Sequence, residues 1–201
     1  MHRFLPVYLP LFVSVFILLA FIAPSVSVYR QTGINPFRFA TRHNALHDYI
    51  GGVMKVLVAL LLVIAGVYSF LPGWYAYLVP FAYPGGTGWQ VAGLVLAHLS
   101  LAGIVLAQRQ MKQSWRIGID YENETQLVTT GLFSLSRNPI FLFLLTGLAG
   151  LFLIIPNAAS LALLCTVYIV LQVSMRLEED FLLGRHGQAY ARYKQKVKRL
   201  I

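Results

Sequence analysis

The chain has 201 residues, of which 58% are hydrophobic and only 11% are charged, yet its 16 basic and seven acidic side chains give a net charge of +9. Soluble domains carry about 25% charged residues, so this composition excludes a disordered chain and a soluble nucleic-acid-binding protein, and it argues against an ordinary water-soluble enzyme. The single cysteine, Cys165, excludes a disulfide scaffold, and we expect it to be a small buried hydrophobic residue.

Three long stretches without a charged residue predict the membrane-spanning helices. They cover residues 4–29, 56–108 and 138–175. A spanning helix needs about 20 apolar residues, and breaks rich in proline and glycine divide the second and third stretches near residues 71–73, 80–86 and 156–157. The predicted fold class is an all-α polytopic membrane protein with about five transmembrane helices, at residues 5–28, 51–70, 89–108, 140–155 and 158–175.

The first stretch has an alternative interpretation as a cleaved signal peptide, because Arg3 precedes an apolar run. We expect a retained span, since the run is long, contains Pro10 and offers only a weak small-residue cleavage site near residues 25–27.

The basic residues predict the orientation of the helices. Four lie within residues 30–55, four within 109–137 and seven within 176–199, so five crossings place 15 of the 16 on one face. The positive-inside rule makes that face cytoplasmic, with the N-terminus outside, the C-terminus in the cytoplasm and the lipid bilayer as a partner. The opposite face receives the Pro156-Asn157 turn and the stretch 72–88, whose aromatic residues suit a membrane interface: Trp74, Tyr75, Tyr77 and Tyr83.

The first basic connection, residues 30–55, contains two histidines four residues apart. On a helix His43 and His47 share one face, and Asp48 is adjacent, which is a weak metal-binding signal. The alternative is a polar interfacial loop with hydrated imidazoles.

The second basic connection, residues 109–137, ends at the entrance of a predicted helix. Arg137 and Asn138 precede Pro139, which can open that helix. Because a helix N-terminus offers free N–H groups, this entrance favours an anionic ligand such as a carboxylate. The alternative is a surface loop anchored to the membrane by Trp115, with its acids at Asp120, Glu122 and Glu124.

The third basic segment begins with Arg176 and three consecutive acids at the end of the last span. Ionisable groups at such a depth are candidates for function; the alternative is a local pair of Arg176 with Glu179 or Asp180 at helical spacing. Residues 181–201 then predict a basic amphipathic helix lying on an anionic membrane surface, with a purely structural role.

Several segments in the last two-fifths of the chain together resemble one family. They are W-R-I-G-I-D at 115–120, Q-L-V-T-T-G-L-F at 126–133, S-R-N-P-I-F at 136–141, Glu178-Glu179, and a closing set of Gly187, Tyr190, Tyr193, Val197 and Arg199. In this order they are similar to the cofactor-binding half of the isoprenylcysteine carboxyl methyltransferase family. The resemblance covers residues 115–201, and the five predicted spans agree with a bacterial form of that family, located in the inner membrane.

The resemblance implies an enzyme that transfers the methyl group of S-adenosylmethionine to a carboxylate of a lipid-like or prenylcysteine-like substrate, without a metal. The implied catalytic residues are Arg137, Arg176 and Glu178. The implied cofactor-binding residues are Gln126, Leu127, Val128, Gly131, Phe133, Arg137, Asn138, Pro139, Glu178 and Glu179. We accordingly divide the chain into a three-span membrane region, 1–108, and a methyltransferase region, 109–201, with a helical hairpin and a C-terminal interfacial helix.

The sequence also departs from the family pattern. Phe133 stands where the family usually has tyrosine, Gln126 and Asn138 stand where histidine is frequent, and Ser174 occupies the place of a second arginine. Because the Arg-Asn-Pro form also occurs in phospholipid N-methyltransferases, a phospholipid or amine N-methyltransferase is an alternative. A non-catalytic membrane protein that keeps the fold is another. No nucleic-acid partner is expected, and the oligomeric state stays open.

Overall fold

The protein is a bundle of apolar helices. The computed structural model describes residues 3–39, 43–82, 86–123 and 125–201, so the predicted interfacial residue Tyr83 and the acidic Glu124 lie outside the described residues. Within the described ranges the chain forms seven α-helices and no strand: α1 Leu5–Ile17, α2 Ala23–Thr32, α3 Ala45–Phe70, α4 Thr87–Met111, α5 Pro139–Ile154, α6 Ala158–His186 and α7 Gln188–Lys196.

Four helical stretches are long and apolar enough to cross a membrane. They are Leu5–Thr32, which joins α1 to α2 through a π-helical turn, and Ala45–Phe70, Thr87–Ser114 and Ala158–His186. The predicted all-α polytopic fold is confirmed, and the chain is an integral membrane protein. The fourth predicted span, residues 140–155, corresponds to α5, which is apolar but has only 16 residues. At 1.5 Å per residue it covers about 24 Å, less than the ~30 Å hydrocarbon core.

The helices extend beyond the charge-free stretches that predicted them. α2 continues to Thr32, α3 begins at Ala45 and α6 runs to His186, whereas the sequence placed these ends at residues 28, 51 and 175. Local caps decide the ends: the Asn44 side chain accepts two backbone N–H groups of the first turn of α3, and Gly33 ends α2 in the left-handed conformation, φ 70°. Each of these helices therefore extends, with its charged residues, beyond the apolar stretch and into the polar layer of the membrane.

The outward faces of the spanning helices are apolar, as lipid contact requires. Val7 and Ile169, for example, are 65% and 62% exposed. Cys165, which was expected to be buried, is exposed on α6. The expectation was wrong because both the inner and the outer faces of a membrane helix are hydrophobic, so hydrophobicity does not reveal burial there.

α4 and α5 pack along a seam of small residues. A side chain on Gly93 would overlap the backbone of Gly150, and one on Gly103 would overlap the Phe143 ring. The Ser100 hydroxyl donates a hydrogen bond to the Phe143 carbonyl, 2.5 Å away. Close backbone approach of this kind is how helices associate in a membrane, where burial of apolar surface supplies little driving force.

α1 runs parallel to α4, and a polar contact sets their relative height. The π-helical turn Leu18–Ile22 interrupts the regular α-helical pairing, and the Ala20 carbonyl within it accepts a hydrogen bond from Gln108 Nε2 at 2.6 Å. Ala20 thus lies level with the last turn of α4, so α2 projects past the end of α4. We call this end of the molecule, where α2, α4 and α6 end and α3 and α5 begin, the site face.

The opposite face joins the two uncharged connections, as the sequence predicted. The Phe81 N–H donates to the Pro156 carbonyl at 2.9 Å, and the Ala158 N–H donates to the Val79 carbonyl at 3.0 Å. Trp74 and Tyr77 are exposed beside them, by 63% and 80%, which suits a membrane interface.

The C-terminal segment differs from the predicted interfacial helix. α6 continues to His186 and ends there, because Gly187 adopts φ 51°. The following helix, α7, has nine residues. Its apolar residues Tyr190 and Tyr193 are 1% and 8% exposed. They face the protein interior, so the prediction that this apolar face lies on the membrane is wrong. An amphipathic pattern fits a membrane surface or a protein surface, and here a protein surface covers the apolar face of α7.

Candidate functional site

A cavity opens on the site face, between the end of α4, the entrance of α5, the end of α6 and α7. Residues 125–128, which have no regular secondary structure, form one side. Eight residues implied by the sequence line the cavity: Gln126, Leu127, Val128, Phe133, Arg137, Asn138, Glu178 and Glu179. The structure therefore brings together groups that are up to 53 residues apart in the sequence.

Three of the implied residues do not line the cavity. Gly131 adopts φ 64° as the first residue of a 3-10 helix, where a side chain would overlap the Gln110 amide. Pro139 is buried in the first turn of α5. Arg176 is exposed, and its Nη1 donates to the Gln172 carbonyl at 3.0 Å. Among the described residues, Arg176 makes no ion pair with Glu179, and it does not line the cavity.

The Glu179 carboxylate, 2% exposed, is the centre of the charged network. Its Oε1 lies 2.7 Å from Arg137 Nη2 and 2.8 Å from Arg199 Nε, while its Oε2 lies 2.9 Å from Arg199 Nη2 and 3.2 Å from Lys194 Nζ. Paired, multiply hydrogen-bonded charges are the form in which buried ions are tolerated. Glu179 thus joins the entrance of α5, α6, α7 and the C-terminal tail, residues 197–201.

The C-terminal tail occupies the helix entrance that the sequence assigned to an anionic ligand. The Arg137 N–H donates to the Lys198 carbonyl at 3.0 Å, and Asn138 Nδ2 donates to the Arg199 carbonyl at 3.0 Å. The Arg137 guanidinium also donates to the Lys194 and Val197 carbonyls. Groups expected to bind an external carboxylate are therefore already paired with Glu179 and the tail backbone.

Glu178 differs from its neighbour. It lines the cavity, is half-buried, and makes no hydrogen bond or ion pair with any residue that the structure describes. The other charged residues of the cavity wall are paired: Arg116 with Asp120, and Arg137 with Glu179. Glu178 is consequently the one acidic or basic wall residue, among the described residues, that has no partner and is free to meet a ligand.

Four aromatic side chains complete the wall: Phe133, Phe181, Tyr190 and Tyr193. The two tyrosine rings meet edge to face with centroids 6.0 Å apart, and the Tyr193 hydroxyl donates to the Phe133 carbonyl at 2.6 Å. Burial raises the pKa of Tyr193 to about 12 and raises that of Tyr190 as well, so both rings stay neutral. Aromatic faces beside one free carboxylate form a site that attracts a cation.

The wall opposite Glu179 is built around Asp120, which is 3% exposed. Arg116 Nε donates to Asp120 Oδ2 at 3.0 Å, Arg38 Nε lies 3.2 Å from the same oxygen, and Oδ1 accepts the backbone N–H groups of Glu122 and Asn123. Burial raises the pKa of Asp120, but the hydrogen bonds from Arg116 and Asn123 and the Arg38 charge outweigh it, so the pKa lies below its ordinary value.

The predicted histidine pair has a different role. His47 is buried, 3% exposed, and its Nε2 accepts the Ile119 N–H at 3.0 Å. It is therefore a buried support of the wall and not a hydrated loop residue. Among the described residues, no cluster of three potential metal ligands occurs.

Sequence reasoning missed Arg38, Asp120, Lys194 and Arg199 as site residues. The resemblance includes Asp120 and Arg199 without a role, and the tail was assigned to the membrane surface. One signal was available: three acids at the end of an apolar helix need cationic partners, and the tail is the nearest rich source of them.

A comparison with models of known protein families gives a match. The model of the family described as phospholipid methyltransferase matches residues 88–189, from the start of α4 into α7 and about half of the chain. The chain belongs to the phospholipid methyltransferase family. It is thus an integral-membrane methyltransferase that acts on lipid-like substrates. The match is to this family and not to the isoprenylcysteine carboxyl methyltransferases, whose resemblance prompted the site assignment. A comparison with curated proteins finds no match.

Proposed function

We propose that the protein transfers the methyl group of S-adenosylmethionine to the amine of a lipid headgroup, at the cytoplasmic surface of the membrane. The observation that carries this proposal is the charge pattern of the cavity. Among the described residues, every cationic wall residue is paired and one acid, Glu178, is not. An amine headgroup is a cation before it reacts, so it is a suitable partner for the unpaired carboxyl group of Glu178.

The cavity also suits the methyl donor. When bound, S-adenosylmethionine supplies a methyl group on a positively charged sulfur that leaves as a neutral thioether. Phe133, Tyr190 and Tyr193 offer ring faces, and Glu178 offers a carboxylate, both of which favour such a cation. The irregular segment 125–128 carries backbone groups outside helix and strand, and we assign the binding of the donor to these groups.

A carboxylate acceptor fits less well. It would need a free cation, whereas Arg137 and Arg199 are both held by Glu179 and Arg116 is held by Asp120. Arg176, the cation that sequence resemblance put in this role, lies outside the cavity wall. Glu178 can instead take the proton of a headgroup ammonium, which exposes the nitrogen lone pair for an in-line displacement. Alignment and electrostatics then supply the rate.

The placement of the cavity fits a lipid substrate. It lies at the ends of the spanning helices, where a headgroup can enter while its chains remain beside the outward faces of α5 and α6. The described parts of the basic segments 30–55, 109–137 and 176–199 meet on the same site face. We assign this face to the cytoplasm by the positive-inside rule. Reporters fused to the two ends test this orientation, because matching sides would contradict an odd number of crossings.

Transfer of labelled methyl groups in vesicles tests the proposed acceptor. Purified protein is reconstituted with phosphatidylethanolamine or, in parallel, with a prenylcysteine, and labelled products are separated. We expect base-stable label in the aminolipid, strongly reduced in Glu178→Gln and retained in Arg192→Gln, which changes an exposed cation on α7. Base-labile label in a methyl ester would overturn the amine assignment. Calorimetry that detects no donor binding by folded protein would overturn methyl transfer altogether.

A further inference from the structure

We propose that the connection between α2 and α3, in its described residues 33–39 and 43–44, supports one wall of the methyl-donor site, with Arg38 as a positioning residue for the wall at residues 116–120. This inference rests on the proposed function. The described parts of the connection, residues 33–39 and 43–44, and the start of α3 lie outside the segment that matches the family, 88–189. The family match therefore assigns no role to this support of the site.

The connection pairs directly with the backbone of the wall. The Arg38 N–H donates to the Ile117 carbonyl at 2.9 Å, and the Ile117 N–H donates to the Pro36 carbonyl at 2.9 Å. These two bonds form a short parallel bridge between Phe37 and Ile117. Backbone pairing fixes the height and direction of the wall segment as it leaves Trp115, which is itself buried at 3% exposure.

The first turn of α3 supports the same segment from a second direction. His47 Nε2 accepts the Ile119 N–H at 3.0 Å, and the Phe39 ring stacks on the His47 ring with centroids 5.1 Å apart. Gly118 between these contacts has φ 90°, and a side chain there would come within 3.0 Å of His47 Nε2. The positive φ and the close histidine together favour glycine at this position of the wall.

The Arg38 side chain adds a charged contact to the same wall. Its Nε lies 3.2 Å from Asp120 Oδ2 and its Nη1 donates to Glu122 Oε2 at 2.9 Å. The Arg38 side chain is 14% exposed and the Asp120 side chain 1% exposed, so this ion pair is largely screened from solvent. Arg38 and Arg116 therefore hold the same oxygen, Asp120 Oδ2, and both Arg116 and Asp120 line the cavity.

Replacement of Arg38 removes a support of the wall at residues 116–120 but no group that lines the cavity. We expect a weaker hold on the donor and little change in the affinity for the lipid acceptor or in the maximal rate. Because the groups that line the cavity remain and only the support of one wall is lost, we expect a cost of about tenfold in donor affinity, which is about 1.4 kcal/mol.

Donor binding by the full-length protein in lipid nanodiscs tests the proposal. Calorimetry with S-adenosylmethionine is compared for wild type, Arg38→Gln, Arg38→Lys and Arg30→Gln; Arg30 is an exposed cation at the end of α2 and serves as the matched control. We expect about a tenfold higher Kd for Arg38→Gln, partial rescue in Arg38→Lys and no change in Arg30→Gln. In methyl-transfer assays the KM for the donor should rise while kcat stays within about twofold of wild type.

Hydrogen exchange separates the positioning role from the function itself. Without any donor, peptides covering residues 115–123 should exchange faster in Arg38→Gln than in Arg30→Gln. Combination with Asp120→Asn should give less than additive loss of donor affinity, as expected for residues in contact. Unchanged exchange and unchanged Kd in Arg38→Gln, with a wild type that binds the donor, overturn the positioning role alone. A wild type that binds no donor overturns the proposed function, and the donor-site role with it.

Discussion

The two buried carboxylates of the cavity are held in different ways. Asp120 accepts backbone N–H groups two and three residues further along its own loop, so part of its stabilisation is local. Glu179 is held by side chains from residues 137, 194 and 199, which come from three other segments. Local bonds persist when distant parts of the chain move, whereas a cluster of distant side chains exists only in the complete fold. The Glu179 side of the site should therefore be the more cooperative one.

Replacement of Glu179 gives the largest expected loss of stability. Glu179→Gln leaves three cations facing each other around a buried site, and breaking a buried ion pair costs about 3–5 kcal/mol. Asp120→Asn keeps several hydrogen bonds and should cost about 1–3 kcal/mol. Denaturant titration in mixed micelles measures both free energies of unfolding. Equal losses would contradict the distinction between local and distant support.

Replacement of the neighbouring acid should separate activity from stability. Glu178→Gln removes the free carboxylate and should lower methyl transfer by about 100-fold or more, the contribution typical of a positioned acid or base. Its free energy of unfolding should hardly change, since Glu178 has no ion-pair partner among the described residues. Rates and unfolding curves are compared with Arg192→Gln. A rate equal to that of this control would remove Glu178 from the site.

Acid should weaken the Asp120 side of the site. The pKa of Asp120 is lowered in the folded protein, so the unfolded chain binds the proton first as the pH falls. Its contribution to stability is present at neutral pH and is lost as the pH falls below about 4, the ordinary carboxyl value. Unfolding of Asp120→Asn should lack this part of the acid response, and Asp180→Asn, at an exposed position, should retain it. Parallel acid responses of wild type and Asp120→Asn would contradict the assignment.

The smallest effect is expected at Arg176. The sequence resemblance implied a catalytic role for Arg176, but its side chain is exposed and donates a hydrogen bond to the Gln172 carbonyl of its own helix. Arg176→Gln should change stability by less than about 0.5 kcal/mol and leave donor affinity unchanged, whereas Arg199→Gln should disturb the Glu179 cluster. If Arg176→Gln instead abolished methyl transfer, Arg176 would contact the acceptor after all.

The helices were predictable from the positions of the charges, because a lipid environment leaves few other solutions for an apolar stretch. The helix ends were not, since caps such as Asn44 act over a few atoms. Residues 126–128 of the irregular wall and Glu178 were found through the order of short motifs. These motifs identify residue types at a spacing, and the cavity then shows which of them meet.

The tail shows why the rest was not predictable. The basic pattern around Tyr190 and Tyr193 fits a membrane surface and a protein surface equally well, so the sequence alone gives no reason to fold it inward. Arg199 follows Glu179 by 20 residues, and that separation contains Gly187, whose backbone angle decides the direction of return. A contact of this kind depends on one dihedral angle, which periodicity does not report.

The π-helical turn Leu18–Ile22 carries a consequence for the whole site face. A regular α-helix advances by about 100° per residue, so the additional residue of a π turn rotates everything that follows it about the helix axis by that amount. α2, the connection that contains Arg38 and the start of α3 are all downstream of this turn. The turn therefore acts as a fixed angular offset: without it, the connection would leave the bundle on a different side and the wall at Asp120 would lack its second arginine.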